Sequence, residues 1–310
     1  MLKTTKTRVG GAVIAGAVAI VLLAGCSAAG GVDAPATLGQ GASAPSPSAS
    51  ATPDSDATVA SVSPSTGSLV SGETATITGT ALTGVDRVTF DDQDADDVTV
   101  VDSRTITVVV PAAVDYQPST GAVVAYKGAT KVPGATLEYA WSARTGVDRE
   151  MQYAFAHWKA STYNAAYADF NSVGGDCQNF VSQSLLAGGL ATSDDWFYGS
   201  ASSHSESWGY APAFNELLDD TPSLGFTRLA STQRSQLAVG DLAYFDWNGN
   251  GVPDHVMIVS RVSTVAGRVT ISLVGHNLDF DYRDLDTAIT KDHPGATVWF
   301  YKVPDSMKQS

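Results

Sequence analysis

The hydrophobic repeat of this chain changes from two residues to about 3.6 residues near position 145, and this change constrains the fold most strongly. Between Val59 and Ala140, short runs such as VDRVTF and ITVVVP are separated by Gly, Pro, Ser and Asp. This pattern is typical of β-strands joined by turns. Further on, Met151, Ala154, Phe155 and Trp158 fall at i, i+3, i+4 and i+7, the stripe of an amphipathic helix. The sequence therefore predicts two domains, the first of them all-β.

The second half of the chain predicts an α+β domain. Its second predicted helix begins at Cys177 in DCQNFVSQSLLAGG, where Cys177, Phe180, Val181 and Leu185 share one face before a pair of glycines. Four predicted strands follow: DLAYFDW, HVMIVSRV, RVTISLVGH and TVWFYKV. Helices first and antiparallel strands afterwards indicate an α+β fold. The 310 residues, 44% of them hydrophobic, suffice for two cores.

The N-terminus predicts export. Lys3, Lys6 and Arg8 precede an apolar run that stops at Cys26, as in a bacterial signal sequence. The letters LAGC ending at Cys26 resemble a lipobox, in which the cysteine becomes the lipidated first residue. We therefore expect residues 1–26 to be a lipoprotein signal and the protein to be lipid-anchored at the extracytoplasmic face of the cell membrane. An ordinary secretory signal and a transmembrane anchor are the alternatives, and both export the chain.

Composition sets the next expectations. Residues 27–58 consist mainly of Ala, Ser, Gly, Pro and Thr, which predicts a disordered tether that buries little surface. The formal net charge is −14, and no cluster of Lys and Arg follows Arg8. Polyanions are bound by such clusters, so nucleic acid is excluded as a partner, and the membrane partner is expected through the lipid alone.

The β-rich segment resembles a known domain. SVSPSTGSLVSGETATITGTAL, followed by VTF and ITVVVP, is similar to the IPT/TIG immunoglobulin-like family. The resemblance covers residues 59–140 and implies an all-β immunoglobulin-like sandwich. Function does not follow from such a fold, and a spacer or binding module is expected.

Cys177 is the only cysteine apart from Cys26, so a lipidated Cys26 leaves it without a disulfide partner. Asp176 is predicted as the N-cap of the helix and Cys177 as its first residue. The positive end of the helix dipole would favour a thiolate there, as a nucleophile requires. The alternative is a buried structural cysteine, which is common on an apolar helix face.

A cysteine nucleophile needs an imidazole base and a third, orienting group. His255 opens a predicted strand after a tight turn, a rigid position that is open to a cleft. His276 and Asn277 end the next strand, and alternation lets only one of them face inward to orient His255. His157 and His204 are expected at the surface and His293 in a loop.

Three motifs in order resemble the family called the putative amidase domain: GGDCQNFVSQSLLAGG, SWGYAPAFNELL and GDLAYFDWNGNGVPDHVMIVS. Its relatives are the CHAP and NlpC-type cell-wall cysteine hydrolases, which have a papain-like fold. The resemblance covers residues 146–304 and implies that Cys177 is the nucleophile and His255 the general base. Members often carry His-Thr where this chain has His276-Asn277, so the third catalytic residue stays open between these two.

The resemblance implies hydrolysis of amide bonds in peptidoglycan or a peptide, without a cofactor. Backbone N–H groups at the start of the Cys177 helix, capped by Asp176, would hold the oxyanion. A non-catalytic surface binding protein and a cysteine acyltransferase or transpeptidase are the alternatives. Asp246 to Asp254 are spaced like the first half of a calcium loop, but Met257 stands where its last ligand would be. A hairpin turn without metal is therefore favoured.

Overall fold

The computed structural model describes residues 56–309. The predicted lipoprotein signal, Cys26 and residues 27–55 of the predicted tether lie outside this range. Within it, no helix is both long enough and apolar enough to cross a bilayer.

The first domain is a two-sheet β-sandwich, as predicted. Its strands are β1 (Thr58–Ser63), β2 (Thr66–Ser68), β3 (Thr74–Thr80), β4 (Arg87–Phe90), β5 (Gln93–Asp94), β6 (Asp96–Asp102), β7 (Thr105–Val109), β8 (Ser119–Lys127), β9 (Thr130–Lys131) and β10 (Leu137–Ser142). One sheet has the order β1-β3-β7-β6; the other has the order β2-β10-β8-β4-β5, with β9 beside β8. Alternate residues fill the space between the sheets, so Ile77 and Ile106 meet Phe90 and Tyr139 in the core.

The second domain begins with helices and ends with strands. The helices are α1 (Gly146–His157), α2 (Cys177–Ala187), α3 (Glu206–Gly209), α4 (Ala211–Asp220) and α5 (Leu285–Thr287). The strands are β11 (Tyr198–Ser200), β12 (Ser203–His204), β13 (Thr227–Ala230), β14 (Leu242–Asp246), β15 (His255–Val265), β16 (Arg268–Gly275), β17 (Phe280–Asp284) and β18 (Thr297–Lys302). Short 3-10 segments include Ala160–Thr162 and Asn171–Val173.

Six strands of the second domain form one antiparallel sheet in the order β13-β18-β14-β15-β16-β17. Its two faces enter different cores, because successive residues of a strand point to opposite sides. Tyr244 and Val256 pack with residues of α1 and α2. Phe245 and Met257 pack on the other side, with residues that include Leu285. Helix α2 therefore lies against one face of the sheet, over the start of β15.

Asp148, at the start of α1, joins the two domains. Its carboxylate accepts hydrogen bonds from the Ser68 hydroxyl at 2.6 Å and from the Val70 amide at 3.0 Å, both in the sandwich. It also accepts from the amides of Arg144 and Thr145, at 2.8 Å each. Burial alone would raise the pKa of Asp148, but these donors outweigh it and lower that pKa. The sandwich is thus docked on the second domain through a buried carboxylate.

Candidate active site

A glycine pair leads into the helix that carries the cysteine. Gly175 has a φ of +118°, and a Cβ atom there would lie 2.2 Å from Nδ2 of Asn277. Only glycine adopts this conformation and leaves this space without strain. Cys177 is the first residue of α2, as predicted.

Asp176 occupies the N-cap position, but its side chain does not cap the helix. Its Oδ1 accepts from the Phe170 amide and from Nδ2 of Asn179, each at 2.8 Å. Its Oδ2 lies 2.6 Å from Nδ1 of His276. The expectation of a capping carboxylate at this position is therefore wrong, because a buried histidine and two amides compete for its oxygens.

His276 is fully partnered. Its Nε2 lies 2.9 Å from the carbonyl oxygen of His157, and its ring is stacked between Tyr163 and Phe180, with centroids at 3.7 Å and 4.1 Å. A carbonyl only accepts, so Nε2 must carry a proton. Nδ1 pairs with Oδ2 of Asp176, so both ring nitrogens of His276 have partners in the interior.

Asn277 also contacts Asp176. Its side-chain Oδ1 accepts a hydrogen bond from the backbone amide of Asp176 at 2.7 Å. Strand β16 ends at Gly275, and Asn277 and Leu278 have φ values of +61° and +85°. Strand alternation therefore no longer applies, and both His276 and Asn277 contact the residue before the cysteine. Backbone in this left-handed region is strained for residues other than glycine and often occurs at functional sites.

The Cys177 side chain is buried, with 6% of its surface exposed, in the core that contains Tyr244 and Val256. Burial raises the pKa of the thiol to about 11, although the amides of Val256 and Gln178 favour the thiolate. This direction is opposite to the one expected from the helix dipole, because loss of hydration outweighs the dipole here.

His255 opens β15, as predicted, and lines a pocket of about 390 Å³ together with Trp247, Asn277, Arg283 and His293. Its ring centroid lies 5.8 Å from that of Trp247. Burial, followed by the charges of Arg283 and His293, lowers the pKa of His255 to about 3, so the imidazole is neutral at physiological pH. Within the described part of the chain, its buried Nε2 has no hydrogen-bond partner.

The structure therefore brings Cys177 to the start of the strand that His255 opens, but Nε2 of His255 does not bind the sulfur. The group of that strand that contacts the thiol is the Val256 amide, one residue after His255, and its hydrogen bond favours the thiolate. Alternation directs the His255 side chain to the face of Phe245 and Met257, whereas the sulfur lies on the face of Val256.

The other histidines differ in their surroundings. His157 is half-buried and bonds the Thr162 carbonyl through Nδ1 at 2.7 Å. His204 is half-buried beside Phe170. His293, expected only in a loop, stacks on Trp247 at 4.1 Å and lines the His255 pocket. Neither His293 nor Arg283 was a predicted site residue, because no periodic pattern distinguishes them.

The turn before His255 is held by carboxylates that accept from protein donors. Asp246 accepts from four consecutive backbone amides, those of residues 248–251, at 2.7 to 3.3 Å. Burial alone would raise the pKa of Asp246, but these amides lower it. Asp254 accepts from the Trp247 amide and from the Asn248 side chain. This is how a hairpin loop satisfies its own backbone.

The fold and the site define an immunoglobulin-like domain followed by a C-terminal domain with a thiol and an imidazole at one end of its sheet. The chain belongs to the putative amidase domain family, whose model matches residues 146–301, just over half of its length. Residues 57–139 match the IPT/TIG domain. The family indicates a hydrolase.

Two solved structures, both of proteins named SGBP-B, are distantly similar. The protein from the mixed-linkage glucan utilization locus of Bacteroides ovatus, in complex with a mixed-linkage heptasaccharide, is 8% identical with a TM-score of 0.21, over 76% of this chain and 51% of that one. The protein from a complex xyloglucan utilization locus of Bacteroides uniformis is 12% identical with a TM-score of 0.23, over 80% and 67%. The chain thus spans about half the length of the first. Similarity at this level does not define a common fold, and what those proteins bind is a property of those proteins. No curated protein matches the chain significantly.

Proposed function

We propose that this protein is a cysteine amidohydrolase or peptidase in which Cys177 is the nucleophile and His255 the general base. The observation that carries the proposal is the position of the thiol. It lies at the first residue of a helix in a domain of an amidase family, beside the strand that His255 opens.

The resting site holds a neutral thiol and a neutral imidazole. Burial raises the pKa of Cys177 to about 11 and lowers that of His255 to about 3, so charge separation is unfavourable before substrate binds. The two side chains lie on opposite faces of the sheet, so the reaction requires a rearrangement at the start of β15 that brings a ring nitrogen of His255 to the sulfur. Catalytic hydrogen bonds are often long in free enzymes and tighten with substrate.

The proposed reaction is an acyl transfer to the thiol followed by hydrolysis. His255 removes the Sγ proton as the sulfur attacks the amide carbonyl, and the imidazolium protonates the departing amine. Backbone N–H groups at the start of α2, including that of Cys177, stabilise the oxyanion. Water, activated by His255, hydrolyses the thioester and restores the thiol.

We assign positioning roles to the residues around the thiol. The buried Asp176–His276 pair and the bond from the Asp176 amide to Asn277 hold the first turn of α2 in place. In this proposal neither His276 nor Asn277 orients the His255 ring by a direct bond. A helix with an N-terminal cysteine, packed on an antiparallel sheet, supports the proposed papain-like fold.

The proposed substrate is peptidoglycan, at an amide of its stem peptide. The support comes from the sequence: an export signal, a lipobox ending at Cys26 and a tether-like segment precede the sandwich. The enzyme would then act from a lipid anchor at the extracytoplasmic face of the membrane.

Digestion of purified peptidoglycan by the full chain tests the proposal. We expect new amino termini with the native protein and none with Cys177→Ala. New crosslinks instead of new amino termini would indicate an acyltransferase. An unchanged substrate under all conditions would favour a non-catalytic binding protein, the alternative that the neutral, buried thiol itself supports.

Alkylation of Cys177 provides a second test. Because burial raises the thiol pKa to about 11, we expect the rate with iodoacetamide to rise about tenfold per pH unit between pH 7 and 10. His255→Ala should leave this slope unchanged in the free protein. Fast, pH-independent alkylation near pH 7 would contradict the neutral resting thiol.

A further inference from the structure

We propose that Arg283 binds a carboxylate of the substrate next to the scissile amide, so that the site selects acidic substrates. This inference rests on the proposed function, because it places the carboxylate in the pocket of the proposed base. The family match assigns no role to Arg283.

Arg283 is a buried cation with an unused donor. Only 7% of the residue is exposed, and its Nε is buried without a hydrogen-bond partner within residues 56–309. Nη2 donates to Asp292 at 3.0 Å, and 43% of the Asp292 side chain is exposed to solvent. Buried N–H groups in folded proteins are rarely left without a hydrogen-bond partner. The unused donor therefore indicates a ligand that is not part of the protein.

The position of Arg283 limits where such a ligand would lie. Arg283 lines the same pocket as His255 and Asn277. Its guanidinium carbon lies 4.9 Å from the Phe280 ring centroid and 6.0 Å from that of Trp247. Contacts with these rings hold the guanidinium in place at the wall of the pocket.

Carboxylate is the ligand that fits the guanidinium group of Arg283. A guanidinium offers two parallel N–H groups, Nε and one Nη, which match the two oxygens of a carboxylate. Asp254 also lines the pocket, but both of its oxygens already accept from the turn. In a chain with a net charge of −14, a buried cation beside the proposed base is specific for an anionic group.

Binding of this carboxylate would also activate the base. The charge of Arg283 is one cause of the lowered pKa of His255, after burial. A carboxylate on Arg283 neutralises that charge and so favours the protonated imidazole that forms when the sulfur attacks. Substrates with the carboxylate are thus expected to react faster as well as to bind more tightly.

Binding of two small probes to the full chain carrying Cys177→Ala tests the recognition without catalysis. The probes are N-acetylalanine and N-acetylalaninamide, which differ only in carboxylate against carboxamide. We expect N-acetylalanine to bind at least about tenfold more tightly by calorimetry or NMR titration, a typical effect of one charge-assisted pair. Arg283→Met should abolish the difference, and Arg283→Lys should retain part of it.

Two controls separate recognition from folding. Arg234→Met removes another arginine, one that pairs with Asp286, and should leave the preference intact. Asp292→Asn removes the protein partner of Arg283 and should also preserve it. Thermal melts identify variants that do not fold, and Arg283→Lys serves if Arg283→Met is among them.

Equal binding of the two probes, no binding of either, or a preference that survives Arg283→Met would overturn the inference, whatever the hydrolysis assay gives. Failure of the proposed function has a different signature: the preference depends on Arg283, but the native protein releases no amine from peptidoglycan. A carboxylate–carboxamide peptide pair then measures the rate effect. In Arg283→Met, the ratio of the two kcat/KM values should fall toward one.

Discussion

His276 and His255 are both buried, but they differ in what their rings contact. Both ring nitrogens of His276 have partners, one of them a carboxylate at 2.6 Å, and two aromatic rings enclose it. His255 lines a pocket, and its Nε2 has no partner among residues 56–309. A histidine with all its partners is held in one state, whereas one without a partner can accept a proton or a ligand.

Within this one site, we therefore expect His276 to stabilise the fold and His255 to take part in the reaction. The His276 pair fixes the loop that leads to Cys177, so we expect its loss to unfold or loosen the helix start. His255 contributes no hydrogen bond through Nε2, so we expect its loss to affect the reaction and not the fold. Substitution of each histidine tests this division.

His255→Ala should lower kcat/KM by about 10⁴-fold, about 5.5 kcal/mol, because the thiol loses its base. The free energy of unfolding should change by less than about 1 kcal/mol, since an unpaired buried imidazole stabilises little. Activity on peptidoglycan fragments and urea unfolding check the two values. A loss of activity below about tenfold would move the base to another residue.

His276→Ala should lower the free energy of unfolding by about 3–5 kcal/mol, because it leaves the Asp176 carboxylate buried without its partner. Asp176→Asn should have a similar effect, and the double variant should lose less than the sum of the two. Thermal and urea unfolding measure all three. Full stability in both single variants would show that the Asp176–His276 pair does not stabilise the fold.

The sequence was sufficient to locate these residues but not to assign their roles. Period and turn signals identified the α2 start and the β15 start, because these are local features of the chain. They placed the end of β16 at His276 and Asn277, but the strand ends at Gly275 and the left-handed backbone that follows has no periodic signal. The pairing of Asp176 with His276 joins residues about a hundred positions apart, and no local pattern specifies it. The direction in which the Cys177 pKa shifts depends on burial, and burial is determined only when the helix packs on the sheet. Arg283 was missed because one arginine in the acidic stretch FDYRDLD predicts a solvated strand edge.

Glu150 tests whether an unpartnered buried group is enough to mark a site. Both its carboxylate oxygens lack partners among the described residues. Glu150 lies on the buried face of α1, where a Cβ on Gly240 would lie 3.2 Å from Oε2. Burial, and then the charge of Asp241, raise the pKa of Glu150 well above its usual range. It lies in the helix–sheet core, so we assign it no role in catalysis.

The pH dependence of stability follows from the sign of that shift. Native Glu150 keeps a proton that the unfolded chain releases above about pH 4.5, so stability falls as pH rises through this range. Asp241, with its pKa raised to about 6, acts in the same direction between about pH 4 and 6. Glu150→Gln should therefore unfold about 1–3 kcal/mol less readily than native protein at pH 8, with little difference at pH 4. Its kcat/KM should be unchanged, and a large loss would place Glu150 in the active site.

Asn277 connects the two histidines, since it follows His276, accepts from the Asp176 amide and lines the His255 pocket. Asn277→Ala should lose about 1–2 kcal/mol of stability with that bond. Asn277→Gly loses the same bond but relieves the φ of +61°, so it should be about 1 kcal/mol more stable than the alanine variant. Urea unfolding measures this difference in stability. The value of kcat/KM measured on folded protein shows whether Asn277 supports the Asp176–His276 pair or contributes to the His255 pocket. A residue that only supports the Asp176 loop changes rate little once the protein is folded, whereas a residue of the His255 pocket slows the reaction in both variants alike.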